Sequence, residues 1–399
     1  MERLRRALEA LDEPSSCEGT LALAERLAIM LPDGDLGALD DPRFVDWIVE
    51  HGEPAPYGQG GETLRDSDVR HAIRLAARGA ARVSGFDVHE VLDEIEASLS
   101  PRTHLAATLL DVLVYPPGGH FVRHKDTPYS ADLVGTLIIG LPIAHTGGEF
   151  QVEDRVVDWS GNIDRERLPW VAFFGDADHE IRPVTSGARV TLVYSLALTD
   201  QPRVDPRWTT RLAGVRSAAR QVEMPPEGMI MIACTRHVIG LDGPQPLGVD
   251  ALRGTDRDVA DTLLAAGLRV AVRTCIVARS VDWGPEQRVA PSWFRNDGEI
   301  WFARLSRPLV QEELDGMLDV LSFEPQSQIW GDGGGYDESE AQSLAPYLAS
   351  GTVPTANWIM RRTAAATFMR AVEFSDDGFV GNGAFDTHIY KLAALEVTR

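Results

Sequence analysis

The chain has 399 residues, 44% of them hydrophobic and 25% charged, with a formal net charge of −22 at pH 7. That length exceeds what one hydrophobic core usually organises, so two or three substructures are expected, in the proportions of an ordinary globular protein without fibrous or disordered tracts. The acidic balance argues against nucleic acid or an anionic membrane as partner, because both require basic patches to meet phosphates; a basic peptide or a small molecule is compatible with it.

Residues 1–104 read as a mostly helical packing region. Leu4, Leu8 and Leu11 recur at helical spacing, Leu21, Leu23, Leu27 and Leu31 follow more loosely, and residues 69–78 read as an amphipathic helix behind an Asp66-Ser67-Asp68 cap. Between these segments, residues 54–63 are rich in turn formers and read as a connector. The opening, Met1-Glu2-Arg3-Leu4-Arg5-Arg6, is charged where a signal peptide would be apolar, and no apolar run is long enough to span a bilayer. Cys17, Cys234 and Cys275 are too few and too scattered for a disulfide framework or a zinc site. The chain therefore reads as cytoplasmic.

From residue 105 the period changes. Residues 109–115, 133–139, 149–152, 170–174 and 188–196 are short β-branched or aromatic runs separated by turns rich in Gly, Pro and Asp, the pattern of an all-β sandwich or barrel over 105–200. Within it Trp170, Phe173 and Phe174 read as core, with the barrel mouth as the alternative for alternate residues of this run, Trp170 being the outlier. Residues 201–399 alternate again, with strand-like 228–233, 269–278 and 299–305 and helix-like 256–268 and 310–321, which indicates an α+β region. The run Gly331-Asp332-Gly333-Gly334-Gly335 lacks the Lys-Ser/Thr ending of a phosphate-binding loop and reads as a flexible loop.

The chemistry concentrates between residues 111 and 196. His124 and Asp126 form an H-x-D pair, and side chains two apart on a strand share one face. His179, in a turn-and-strand context downstream, is the candidate third ligand; two imidazoles and a carboxylate with open positions suit a non-haem Fe(II) centre. His120 sits in a turn and His145 reads as a solvated loop residue.

The blocks Tyr115-Pro116-Pro117-Gly118-Gly119-His120-Phe121-Val122-Arg123-His124-Lys125-Asp126, Gly135-Thr136-Leu137, Gly147-Gly148-Glu149-Phe150 and His179-Glu180-Ile181-Arg182-Pro183-Val184-Thr185-Ser186-Gly187-Ala188-Arg189 together resemble the prolyl 4-hydroxylase-like branch of the Fe(II)/2-oxoglutarate-dependent oxygenases. The resemblance implies an α+β protein with a double-stranded β-helix (jelly-roll) core over 105–200. It implies His124, Asp126 and His179 as iron ligands, Arg189 as the bidentate partner of the distal 2-oxoglutarate carboxylate, and Thr191 and Tyr115 as further co-substrate contacts. Fe(II), 2-oxoglutarate and O2 are the implied cofactors, with ascorbate an optional addition.

The implied reaction is hydroxylation of an unactivated C–H in a peptide or protein side chain, an amino acid or a small metabolite, with 2-oxoglutarate converted to succinate and CO2. Desaturation or cyclisation on the same centre, or a non-catalytic β-barrel binding module, are the alternatives. Some relatives carry a tyrosine where Ile138, Ile139 and Gly140 stand, so co-substrate contacts on that wall are open. Residues 201–399 are left a capping, dimerisation or substrate-binding role, and a homodimer is compatible with the sequence.

Overall fold

The computed structural model describes residues 1–11, 14–30, 36–38, 41–59, 62–77, 82–100, 102–126, 130, 132–236, 238, 247–282, 300–305, 348–352, 357–359, 366–373 and 385–399. The chain divides into one unit of residues Glu13–Pro206 and another of Met1–Asp12 with Arg207–Arg399. This differs from the division at 104 and 200 expected from the sequence, because residues 16–99 contribute strands and helices to the same core as residues 105–200, while Leu4, Leu8 and Leu11 join the core of the other unit.

In the Glu13–Pro206 unit fourteen strands matter for the site: β1 Ser16–Ala22, β2 Glu53–Pro54, β3 Arg70–His71, β4 Ile73–Ala76, β5 Thr103–Tyr115, β6 His120–His124, β7 Leu133–Gly140, β8 His145–Gly147, β9 Phe150–Val152, β10 Arg155–Val157, β11 Arg167–Phe174, β12 His179–Ile181, β13 Val184–Gly187 and β14 Arg189–Pro202. Seven form one sheet in the order β1-β11-β7-β14-β5-β4-β2, five form a second in the order β10-β9-β12-β6-β3, and β8 pairs with β13.

Side-chain alternation decides what each face carries. Along β11, Leu168, Trp170, Ala172 and Phe174 enter one core while Val171 and Phe173 enter another. The first core lies on the outer face of the seven-stranded sheet, under helices α1 (Pro42–His51) and α2 (His89–Leu99), which supply Val45, Ile48, Val91, Leu92, Ile95 and Leu99. The second is shared by both sheets, joining Leu113, Tyr115, Ile138 and Phe173 to Phe121, Phe150, Val152 and Ile181. Two antiparallel sheets closed over one core make a jelly-roll arrangement. Trp170 lies in the outer core against Gly19, where an added Cβ would come within 2.6 Å of its ring, which bears out its core reading over the barrel-mouth alternative.

The mostly helical reading of residues 1–104 is overturned for residues 69–77. They form β3 and β4, with Ile73, Arg74, Leu75 and Ala76 opposite Val114, Leu113, Val112 and Asp111 of β5. Pairing wins over helical propensity because Ile73 and Leu75 reach the outer core, while Arg74 on the other face bonds Glu53 at 2.8 and 2.7 Å. Asp66 closes a turn through its side chain to the Asp68 N–H, and no helix follows it. Leu21 belongs to β1, and residues 28–30 form a further strand.

The second unit is a mixed α/β layer. Its sheet runs Leu348–Thr352, Ile300–Leu305, Arg269–Asp282, Phe385–Thr398, Met229–Ala233, Trp358–Ile359, with Ala366–Glu373 also paired to Phe385–Thr398. Helices Glu2–Glu9, Pro206–Arg220 and Gly254–Ala265 bring Leu4, Leu8, Trp208, Val259 and Leu263 into one core with Ile232 and Leu395. Buried Asp256 accepts the Thr235 and Arg236 N–H groups at 2.8 Å each, and Asp258 accepts the Trp208 indole N–H at 2.7 Å. The segment 252–256 thus ties a helix to a strand end. The expected helix over 310–321 and the loop at 331–335 lie outside the described residues. Among the described residues no helix is long and apolar enough to cross a membrane.

Candidate metal centre and anion pocket

β6 and β12 are antiparallel neighbours, and their register sets His124 directly opposite His179. Asp126 follows two residues after His124, anchored by its own N–H on the Gly175 carbonyl at 2.8 Å. The Nε2 atoms of His124 and His179 stand 3.9 and 3.6 Å from Asp126 Oδ1. Those distances exceed a hydrogen bond. The ligand atoms of all three residues lie within 4.8 Å of one another, close enough to share one ion.

The tautomers are arranged for a metal. His124 Nδ1 lies 2.9 Å from the Val122 carbonyl and His179 Nδ1 lies 2.9 Å from the Ala177 carbonyl. A carbonyl only accepts, so each Nδ1 carries the proton and each Nε2 presents its lone pair. Thr136 donates its hydroxyl to Asp126 Oδ2 at 2.7 Å, which leaves Oδ1 free on the histidine side. Aromatic packing holds the rings: Phe121 stacks on His124 at 3.5 Å between centroids, and Phe173 and Phe150 flank His179 at 4.6 and 5.8 Å.

Electrostatics support a neutral His124 and an ionised Asp126. Burial, then the neighbouring His179, push the His124 imidazole down to about 3, so it is neutral at physiological pH. Burial alone would raise Asp126. The neighbouring His179, the Thr136 hydroxyl and His124 outweigh it and hold the carboxyl well below its usual range.

A second polar group opens into the inner core. β14 begins with Arg189, and alternation sends Arg189 and Thr191 to the face opposite Val190 and Leu192, which join the outer core. Tyr115 of β5 is the cross-strand partner of Arg189. The guanidinium lies 5.6 Å from the Tyr115 ring and 5.3 Å from the Trp159 ring. Arg189 is only 1% exposed, and none of its three guanidinium nitrogens has a hydrogen-bond partner. Burial lowers its pKa to about 10, against a smaller opposing effect from Tyr115. Thr191 Oγ1 and His145 Nε2 are likewise buried without a partner.

Glycines make this room. Gly140 closes β7 opposite Thr191, and a Cβ there would lie 2.7 Å from the Trp159 ring, so the indole packs against that wall. Gly148, with φ +74°, would place a Cβ 3.0 Å from Arg189 Cδ.

The structure brings His124, Asp126 and His179 into one cluster, and Arg189, Thr191 and Tyr115 into another group facing the same inner core. His120 takes no part: its ring nitrogens face the Gly118 and Asp68 carbonyls at 2.9 and 3.1 Å. His145 corrects the sequence reading, since it is 6% exposed and belongs to β8. Thr136 and Trp159 carry no sequence signal of their own beyond the Gly-Thr-Leu block and an indole in a polar turn.

No protein-family model matches the chain. Over 137 residues it is 32% identical to a PKHD-type hydroxylase of Paraburkholderia phymatum, a match covering 29% of this chain and 58% of that protein. A 54-residue stretch is 41% identical to part of the 3-dehydroquinate synthase of Rhodospirillum rubrum, covering 14% of this chain and 12% of that enzyme. Among solved structures it is similar to an oxidoreductase of the 2OG-Fe(II) oxygenase family from Burkholderia pseudomallei, with a TM-score of 0.28 and 16% identity over 49% of this chain and 90% of that one. It is also similar to a prolyl-4-hydroxylase of Pseudomonas putida, with a TM-score of 0.30 and 15% identity over 49% of this chain and 98% of that one. The chain is thus similar to 2OG-Fe(II) oxygenases and prolyl 4-hydroxylases, while spanning little more than half the length of the hydroxylase it matches in sequence.

Proposed function

We propose that the Glu13–Pro206 unit is an Fe(II)- and 2-oxoglutarate-dependent dioxygenase that hydroxylates a C–H bond of a peptide or protein side chain, an amino acid or a small metabolite. The observation that carries this reading is the coexistence, on one inner core, of a His-Asp-His cluster with both Nε2 lone pairs turned to one carboxylate oxygen and a buried guanidinium without an anion. A buried charge without partners is costly to a fold that has no use for it. A dicarboxylate that reaches the metal with one end supplies the missing acceptor with the other.

His124, Asp126 and His179 would hold the ion, and Arg189 with Thr191 would hold the distal carboxylate beside Tyr115. When bound, Fe(II) with 2-oxoglutarate and O2 supplies the oxidising power, releasing succinate and CO2. The chain's own contribution is orientation and exclusion of water. Thr136 holds the Asp126 carboxylate in position, Phe121, Phe150 and Phe173 keep the imidazoles in place and dry, and Trp159 shields the guanidinium from solvent.

The test is reconstitution under argon with Fe(II) and 2-oxoglutarate, followed by exposure to O2 with candidate substrates. Succinate release and an added oxygen in the product mass are expected. Absence of both Fe(II) binding and 2-oxoglutarate binding would sink the proposal.

A further inference from the structure

We infer that His145 is a third contact for the distal carboxylate of 2-oxoglutarate, beside Arg189 and Thr191, and that it takes up a proton when that carboxylate binds. The inference rests on the proposed co-substrate and extends it to a residue outside the metal cluster.

Placement comes first. β8 pairs with β13 so that His145 stands opposite Gly187, two residues before Arg189. The approach is close: a Cβ on Gly187, whose φ is +69°, would fall 2.2 Å from the Ala144 carbonyl oxygen. Three residues beyond His145, Gly148 passes against the Arg189 side chain, and Leu141 donates its N–H to the Val190 carbonyl at 3.0 Å. Residues 141–148 therefore wrap the strand that opens with Arg189.

The chemistry of the ring follows from its bonds. Nδ1 lies 3.1 Å from the Ile143 carbonyl, so it carries a proton, and Nε2 of the neutral ring is a lone pair. That lone pair is buried and has no donor, and the guanidinium nitrogens of Arg189, on the strand that residues 141–148 wrap, are buried without acceptors. Neither group satisfies the other. An anion entering between them satisfies both, provided that Nε2 gains a proton and becomes a donor.

The charged groups facing the ring are Arg189 from β14, Asp158 from the turn after β10 and Glu149 just before β9. Burial, with a smaller contribution from Arg189, lowers the pKa of the free ring, against the Ile143 carbonyl, Asp158 and Glu149, which act in the opposite sense. A bound carboxylate cancels the Arg189 charge and offers an acceptor, which raises the basicity of Nε2. The proton comes from solvent, and no other bond is made or broken. Linkage then requires that co-substrate affinity falls as pH rises through the raised value in the complex.

The experiment is calorimetric titration of 2-oxoglutarate into the full chain loaded with manganese, without O2, in two buffers of different ionisation enthalpy. The slope against that enthalpy counts protons. Wild type is expected to take up a substantial fraction of one proton near pH 7. His145→Gln keeps a neutral donor near the Nε2 position and loses the uptake with modest loss of affinity. His145→Asn keeps a donor for the Ile143 carbonyl, loses Nε2, and binds roughly tenfold or more weakly. An unchanged proton count in both variants would overturn the role of His145 while leaving the proposed function intact. Loss of binding in Arg189→Gln alone, with both His145 variants behaving as wild type, does the same. Wild-type protein that binds no 2-oxoglutarate overturns both proposals. Should His145→Asn fail to fold, the proton count of His145→Gln decides.

Discussion

Arg189→Met separates what the guanidinium costs the fold from what it contributes to binding. The change removes a buried charge and keeps a side chain long enough to preserve the stem contact beside Gly148. Burial lowers the arginine from 12.5 to about 10, which corresponds to about 3 kcal/mol of penalty on the charged native state. Because the folded value is the lower one, that penalty is full below about 10 and is relieved only as pH rises towards 12.5, so it is constant near neutrality. Against it stand the two aromatic contacts at 5.3 and 5.6 Å, worth about 0.5–1 kcal/mol each. The balance favours the methionine by about 1–2 kcal/mol in the ligand-free protein. With manganese present throughout, 2-oxoglutarate at 100 times its dissociation constant adds about 2.7 kcal/mol to wild type and nothing to the variant. Urea unfolding without O2, first without ligands and then with manganese in the absence and presence of 2-oxoglutarate, reads both terms. The order of stabilities inverts on adding ligand if the reasoning holds. A variant less stable than wild type without ligand, or one stabilised by 2-oxoglutarate as wild type is, refutes it.

Other perturbations test the metal side and the room made for the arginine. Thr136→Val strands Asp126 Oδ2 and is expected to weaken manganese binding about 10–100-fold in calorimetry, with the fold retained by circular dichroism; unchanged affinity would remove the hydroxyl from the site. Gly148→Ala forces a Cβ to 2.9 Å from Val184 Cγ2 at a positive φ, so it is expected to lose about 1–3 kcal/mol in urea unfolding and to weaken 2-oxoglutarate binding in the same sample. For pH, native His124 stays neutral down to about 3 whereas the unfolded ring protonates below 6.5, so the metal-free protein loses stability as pH falls below 6.5. At pH 5 this amounts to about 2 kcal/mol, and the decline is shallower by that amount in His124→Gln; equal slopes in the two proteins would contradict the assignment.

How much of this was legible in the sequence depended on whether the signal was local. The His124–Asp126 pair could be read because two residues apart on a strand share a face, and His179 because it followed in strand context. Arg189 came through the resemblance, and Thr191 with it as the residue two further along the same strand. Tyr115 came only through the resemblance, and its place opposite Arg189 is a matter of register. The helical reading of residues 69–77 failed because β4 is stabilised by its neighbour β5 and by the Arg74–Glu53 pair, contacts invisible in a single segment. Trp170, Phe173 and Phe174 were legible as core, but not that alternation divides them, sending Trp170 and Phe174 outward and Phe173 inward. His145 was missed because a short strand flanked by glycines looks like a turn until its partner β13 is known.

The order of these elements along the chain explains how one site can combine a metal pole and a cation pole. The proposed metal ligands come from β6 and β12 of the five-stranded sheet and from the segment after β6, whereas the guanidinium comes from β14 of the seven-stranded sheet. Closing the inner core is therefore what brings the two poles to one space. Residues such as Phe150 and Phe173, one from each sheet and 5.1 Å apart between centroids, hold that closure without touching chemistry themselves. It follows that loosening the Phe150–Phe173 contact must reduce metal and 2-oxoglutarate binding together, even though neither phenylalanine contributes a ligand. Phe150→Ala, at a site 1% exposed, leaves a cavity worth about 3–5 kcal/mol, and its effect on both titrations separates a site built across two sheets from one carried by a single sheet. Loss of one binding event with full retention of the other would argue that each pole is held by its own sheet alone.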